Sequence, residues 1–366
     1  MEQQSTYPRL EINLKKLESN VKEIVKRCGE KNIDVVGVIK GASGILECAK
    51  TVAKAGCEIL ASPRIEQIEA AREAEIDTKF MMLRSPMLSE IKEVIRLADI
   101  SVNSEPAVLR ALNEEAIKQN KIHEVMLMAD LGDLREGIWD EKELIDVALE
   151  IENNLKSLKL NGLGTNLGCY GSIAPTASKL EKLVELAEEI EKNIGRKLDY
   201  ISGGATTSLA RIFDNDMPAR INQLRIGEGF LLARDLDELW GYDVSFLHKD
   251  VFTLKAEVIE VKDKPSHPVG EIMFDAFGNR PTYIDKGIRK KALLGIGKVD
   301  YAYYDKILPK LKGVEVLGGS SDHTILDIEE AEKEIRVGDI IEFDLSYAAL
   351  PFLSSSKNVK IRITND

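Results

Sequence analysis

Lys40 closes the apolar run Asp34-Val35-Val36-Gly37-Val38-Ile39, and Gly41-Ala42-Ser43-Gly44 follows it at once. A lysine leaving a buried strand presents its amine to a cavity. Burial disfavours the charged form, and a partly neutral amine can attack a carbonyl to form a Schiff base. Taken alone, the run reads more simply as a surface lysine ending an ordinary strand; the rest of the chain reverses that reading. Two later stretches matter most: Ser202-Gly203-Gly204-Ala205-Thr206-Thr207-Ser208 and Leu224-Arg225-Ile226-Gly227-Glu228-Gly229. Glycines and small hydroxyl residues leave backbone N–H groups free to face an anion such as phosphate. Ordinary turns are the other reading, since Gly and Ser are turn residues in any case.

These residues need elements to hold them. Eight apolar, β-rich segments recur at residues 35–40, 59–62, 80–84, 100–103, 125–130, 160–167, 200–203 and 223–227, most of them followed by a helical pattern. Strands alternating with helices predict a parallel sheet, and eight such units predict a (β/α)8 TIM-type barrel over residues 10–246. Local signals start the helices: Pro63 and Pro106 in first turns, and a capping box at Ser178-x-x-Glu181. After residue 246 the texture changes. Residues 252–261 alternate at period two, and 292–296, 314–317 and 340–345 are further strand candidates. We read a C-terminal β-domain at 247–366, with residues 1–9 pairing with it.

The active site of such a barrel lies at the C-terminal ends of its strands, and phosphate sites follow strands seven and eight. Lys40 ends strand one, and the two glycine-bearing stretches follow the last two strands. A phosphate site facing a lysine across a barrel mouth suggests pyridoxal 5'-phosphate (PLP). Arg225 would then stand near the ring nitrogen and Arg135 near the ring phenolate, unless either is a structural ion pair.

The composition of the 366 residues narrows the partners. A net charge of −12 with no basic stripe argues against nucleic acid. No apolar run is long enough to span a membrane, and the start lacks the features of a signal peptide. Cys28, Cys48, Cys57 and Cys169 form no C-x-x-C pair, which fits a reduced, cytoplasmic protein. The four histidines do not pair at ligand spacing. Asp322-His323 reads as a turn rather than a ligand pair, so no metal is expected.

The order of strand-lysine, barrel and β-domain resembles the alanine-racemase-type (fold type III) PLP enzymes, with the ornithine-acting members the closer match. The resemblance rests on residues 129–137 (Ala-Asp-Leu-Gly-Asp-Leu-Arg-Glu-Gly), 164–171 (Gly-Thr-Asn-Leu-Gly-Cys-Tyr-Gly), 201–204, 270–279 and 318–323. It implies that Lys40 holds PLP and serves as one of two acid/base groups. It implies Arg135 at the phenolate, Asn166 near the ring, and Gly204, Ala205, Thr206 and the Gly227 backbone at the phosphate. Arg225 matches the partner of the pyridine nitrogen. Asp275 falls where the family carries a catalytic tyrosine supplied by the partner subunit, with Tyr283 the alternative. Ser321 and Asp322 match the segment that meets the substrate carboxylate. The implied function is racemisation of a free amino acid, ornithine or a related dibasic one, by a homodimer with active sites completed in trans. The rival readings are a racemase of alanine or another small amino acid, a D-threonine-aldolase-like lyase, and a non-catalytic PLP-homeostasis protein.

Overall fold

The computed structural model describes residues 6–365 and divides into two compact units. One runs Lys15–His248; the other takes the chain up to Leu14 and again from Lys249 onward. Residues 1–5, assigned above to the β-domain, lie outside the described residues.

The first unit is a closed barrel of eight parallel strands. After β1 (Arg9–Asn13), which belongs to the other unit, come β2 (Asp34–Val38), β3 (Ile59–Ser62), β4 (Lys79–Met82), β5 (Ile100–Asn103), β6 (His123–Met128), β7 (Leu158–Gly164), β8 (Tyr200–Ser202) and β9 (Gln223–Ile226). The barrel closes where β2 pairs with β9, Val36 opposite Arg225. The helices are α1 (Leu14–Gly29), α2 (Leu46–Lys54), α3 (Ile65–Glu73), α4 (Ile91–Leu97), α5 (Pro106–Lys118), α6 (Glu141–Asn154), α7 (Ala177–Ile194) and α8 (Leu209–Phe213). Alternation along each strand sorts the faces. Val36 and Val38 join Ala61, Met81, Val102, Met126 and Met128 in one buried cluster. Gly37 between them faces α2, where a Cβ would lie 2.4 Å from Val52 Cγ1.

Two local expectations change. Strand one stops at Val38, because Lys40 begins a short 3-10 turn, Lys40–Ala42. Helix α7 is capped by Thr176, whose side chain accepts from Lys179 N at 3.3 Å, and not by Ser178. Thr176 precedes the helix and has the extended backbone that an N-cap requires.

The second unit is an eight-stranded sheet. Its strands are β1, β10 (Phe252–Pro265), β11 (Ile288–Leu294), β12 (Ile307–Pro309), β13 (Glu315–Gly319), β14 (Thr324–Asp327), β15 (Ile340–Leu345) and β16 (Lys360–Thr364). The order is β12-β15-β10-β11-β14-β13, with β1 antiparallel to β10 and parallel to β16. Phe252, Leu254, Ala256 and Val258 are fully buried, as the period-two pattern requires.

Candidate active site

Each barrel strand delivers its chemistry at its C-terminal end. After β2, Ser43 (φ +48°) and Gly44 (φ +73°) turn the chain back, and Gly44 N donates to Ile39 O at 3.2 Å. This fixes Lys40 at the rim. Burial holds its amine below the ordinary lysine value; nearby Arg135 and Arg225 push the same way, while Cys169 and Glu136 oppose them. Five side chains, from three loops and the strand β9, thus share one electrostatic neighbourhood.

Arg225 on β9 is buried, and burial pushes its guanidinium down to about 10. Nη1 donates to Ser202 Oγ of β8, and Nη2 donates to Thr165 O just beyond β7. Gly164 makes this possible: a Cβ there would sit 3.2 Å from Arg225 Nη1. The next residue, Asn166, has a buried Nδ2 that meets no acceptor among the described residues.

The loops after β8 and β9 are tied together. Gly204 (φ +111°) passes so close to Ser208 Oγ that a Cβ would lie 2.8 Å away, and Ser208 Oγ donates to Gly203 O at 2.7 Å. Ala205 leads into a short turn, Thr206–Ser208. Thr206 Oγ1 accepts from Gly229 N at 3.2 Å and, more weakly, from Gly227 N at 3.5 Å. Gly227 caps α9 (Glu228–Leu231), and a Cβ on it would lie 3.2 Å from Val38 Cβ and from Val38 O. Glu228 turns away from this cradle. Its Oε1 accepts from Arg234 N and Asp235 N, at 2.8 and 3.2 Å, and burial raises its carboxyl to about 7.

The loops after β6 and β7 are also joined. Asp133, almost fully buried, accepts from Cys169 N, Tyr170 N and Ile173 N at 3.3, 2.9 and 3.3 Å. Arg135 donates from Nε and Nη2 to Glu136 and from Nη1 to Cys169 Sγ. Asp133, Glu136 and Cys169 had no role in the sequence reading. The only hint was that all three lie in the two stretches, 129–137 and 164–171, quoted for the resemblance.

The other expected residues lie in the second unit. Asp275 holds its own turn, with Oδ1 accepting from Phe277 N and Asn279 N at 2.9 and 2.8 Å. The Asn279 N–H foremost keeps this carboxyl below the ordinary range, and Lys298 Nζ stands 3.7 Å from Oδ2. Tyr283 is partly exposed and stacks edge-on to His267. Asp275 and Tyr283 line one cleft of about 610 Å³, with Lys298 and Tyr304. Ser321 Oγ donates to Asp322 Oδ2 at 2.6 Å, beside Gly297, where a Cβ would come within 2.1 Å of Ser321 O. Among the described residues, no group of three or more His, Cys, Asp and Glu side chains assembles as metal ligands.

The barrel mouth fits PLP. It offers an amine of burial-lowered proton affinity for the aldehyde, a buried amide N–H without an acceptor among the described residues, a buried guanidinium for the ring nitrogen, and glycine-lined backbone for the phosphate.

Comparison with known proteins agrees. Residues 12–234 match the family model described as "Alanine racemase, N-terminal domain". The chain is 39% identical over 344 residues to a lysine racemase of Thermotoga maritima, covering 94% of this chain and 95% of that one. It is also 39% identical to an ornithine racemase of Acetoanaerobium sticklandii, covering 94% and 96%. Among solved structures, the alanine racemase of Streptomyces lavendulae aligns with a TM-score of 0.77 at 18% identity, over 99% of this chain and 98% of that one. The D-threonine aldolase of Filomicrobium marinum shares the fold, with a TM-score of 0.73 at 15% identity over 95% and 89%. With a barrel closed on itself, a strand-end lysine at its mouth and relatives matched along nearly their whole length, the chain belongs to the alanine racemase family of PLP-dependent amino-acid racemases.

Proposed function

We propose that the protein racemises a free dibasic amino acid, ornithine or lysine, as a cytoplasmic homodimer. The observation that carries the chemistry is the amine of Lys40, its proton affinity lowered by burial at the mouth of the barrel, together with the two tied glycine-bearing loops after β8 and β9. The substrate class is supported by the two relatives at 39% identity, named for lysine and ornithine. It also draws on the small residues Gly41-Ala42-Ser43-Gly44 beside Lys40, which bring no bulky side chain to that part of the mouth. No described helix is long and apolar enough to cross a membrane.

PLP, when bound, supplies the electron sink that stabilises charge at the substrate Cα. Lys40 holds the cofactor and moves a proton on one face of that carbon, a task its lowered proton affinity suits. Arg225 is the ring-nitrogen partner; a guanidinium there leaves that nitrogen without a proton and restrains side reactions. Arg135 would meet the phenolate oxygen and Asn166 would lie near the ring. The backbone at Gly204, Ala205, Thr206 and Gly227 takes the phosphate.

The second proton group is Asp275 of a second copy, with Tyr283 the alternative. The hydrogen bonds on Asp275 favour its carboxylate form, which is the form that accepts a proton. The segment at Ser321 and Asp322 would meet the substrate carboxylate. The test is loss of optical rotation over a panel of L- and D-amino acids with the PLP-loaded protein. Turnover should be fastest with ornithine or lysine. Faster loss with alanine would overturn the dibasic reading, and the absence of a PLP absorption band would overturn the whole of it.

A further inference from the structure

Arg135 is held at all three of its nitrogens. Nε and Nη2 donate to the two oxygens of Glu136, its neighbour in sequence, and Nη1 donates to Cys169 Sγ at 2.7 Å. A two-pronged pair fixes the plane of a guanidinium as well as its place. A solvent-exposed pair would contribute little. Here the Arg135 and Glu136 side chains are 36% and 24% exposed, so the pair matters through the orientation it imposes rather than through its strength. Gly137 (φ +132°) passes so close to the preceding strand end that a Cβ would lie 2.5 Å from Asp130 N.

The charges around Lys40 explain why the pair matters. Arg135 and Arg225 disfavour a proton on the amine, while Glu136 and Cys169 favour one. The other carboxylates of this loop are engaged with backbone. Asp130 accepts from Gly132 N and Leu134 N, and Asp133 accepts from the facing loop. Glu136 is therefore the loop carboxylate whose charge acts on the mouth.

We propose that Glu136 is a positioning residue: it locks the Arg135 guanidinium in one plane and balances its charge beside Lys40. The inference rests on the proposed function, in which the cofactor is held at Lys40. Without the Glu136 carboxylate, only Cys169 opposes Arg135 and Arg225 at Lys40, and a proton on its nitrogen is held less tightly.

The test is a spectrophotometric pH titration of the cofactor band in PLP-loaded parent, E136Q and E136D proteins, with kcat and KM measured alongside. In E136Q the band should titrate at least about 0.5 pH lower, and kcat should fall on the order of 10-fold with KM nearly unchanged. E136D keeps the charge but is one methylene shorter, so its band should titrate near the parent while kcat still drops. An E136Q band titrating with the parent's overturns the inference, whatever happens to the melting temperature. If E136Q does not fold, an E136D protein with unchanged kcat overturns it. A parent protein without a cofactor band sinks the proposed function and this inference together; a normal parent band with an unmoved E136Q band sinks this inference alone.

Discussion

Replacing Asp133 by Asn should unzip the two loops that carry Arg135 and Asn166. The carboxylate accepts one hydrogen bond of 2.9 Å from Tyr170 N and two of 3.3 Å from Cys169 N and Ile173 N. An amide at the same place turns one acceptor into a donor aimed at N–H groups. Hydrogen bonds to a charged acceptor are worth roughly 1.5–3 kcal/mol each. Counting the short one at about 2 and each long one at about 1 kcal/mol, the loss is roughly 3–4 kcal/mol. For a unit of this size, that corresponds to a melting temperature lowered by roughly 6–16 °C. Burial works against the Asp133 charge, but the N–H groups of Tyr170, Ile173, Cys169 and Gly171 outweigh it and hold the carboxyl below its ordinary value. The sign follows. The stabilisation is complete above the ordinary carboxylate value and is lost as pH falls through the lower folded one. The measurement is thermal melting at pH 7 and pH 4, with amide exchange at residues 169–173. A D133N protein that melts within about 2 °C of the parent at pH 7, with those amides still protected, would refute the reasoning.

Three further outcomes follow from the site. Lys40→Ala should abolish the lysine-bound PLP band and lower kcat by at least about 10³-fold; a retained band without substrate would exclude Lys40 as the cofactor lysine. Gly227→Ala pushes a methyl against Val38 Cβ and Val38 O at 3.2 Å, so PLP should bind about 10-fold more weakly by equilibrium dialysis, and unchanged affinity would remove Gly227 from the cradle. Glu228 is raised to about 7 by burial, so the fold holds its proton more tightly than the unfolded chain does. Stability should therefore fall as pH rises from about 4.5 to about 7, and E228Q should remove that decline, which is worth on the order of 2–3 kcal/mol by urea melts; parallel pH curves would contradict this.

Each of the eight barrel strands was legible as an apolar segment, because both faces of a parallel strand are covered and the run is nearly continuous. The strands β12, β14 and β16 were not: barrel strands just as short are marked by the repeated strand–helix alternation, which the β-domain lacks. Lys40, Arg225 and the two phosphate loops stood out because strand ends and glycines can be read locally. Asp133 could not be read that way, because its partners lie 36–40 residues further along in another loop. The Arg135–Glu136 fork was hidden for the opposite reason. Neighbouring residues normally point apart, and nothing in the local sequence marks these two as a hydrogen-bonded pair. For Asp275 only the resemblance of residues 270–279 suggested the position, while the turn it builds depends on Phe277 and Asn279.

Arg225 belongs to β9, grips Ser202 of β8 and reaches the backbone at the exit of β7. Three consecutive staves of the barrel are riveted by the one side chain proposed to govern the ring nitrogen. A lineage drifting toward a different partner for that nitrogen would first have to survive a loosened barrel. A carboxylate placed there would confront Thr165 O with no proton to offer unless it stayed neutral. Selectivity of reaction and integrity of the scaffold are therefore inherited together. The repertoire of chemistries open to this chain by single substitutions at position 225 is correspondingly narrow.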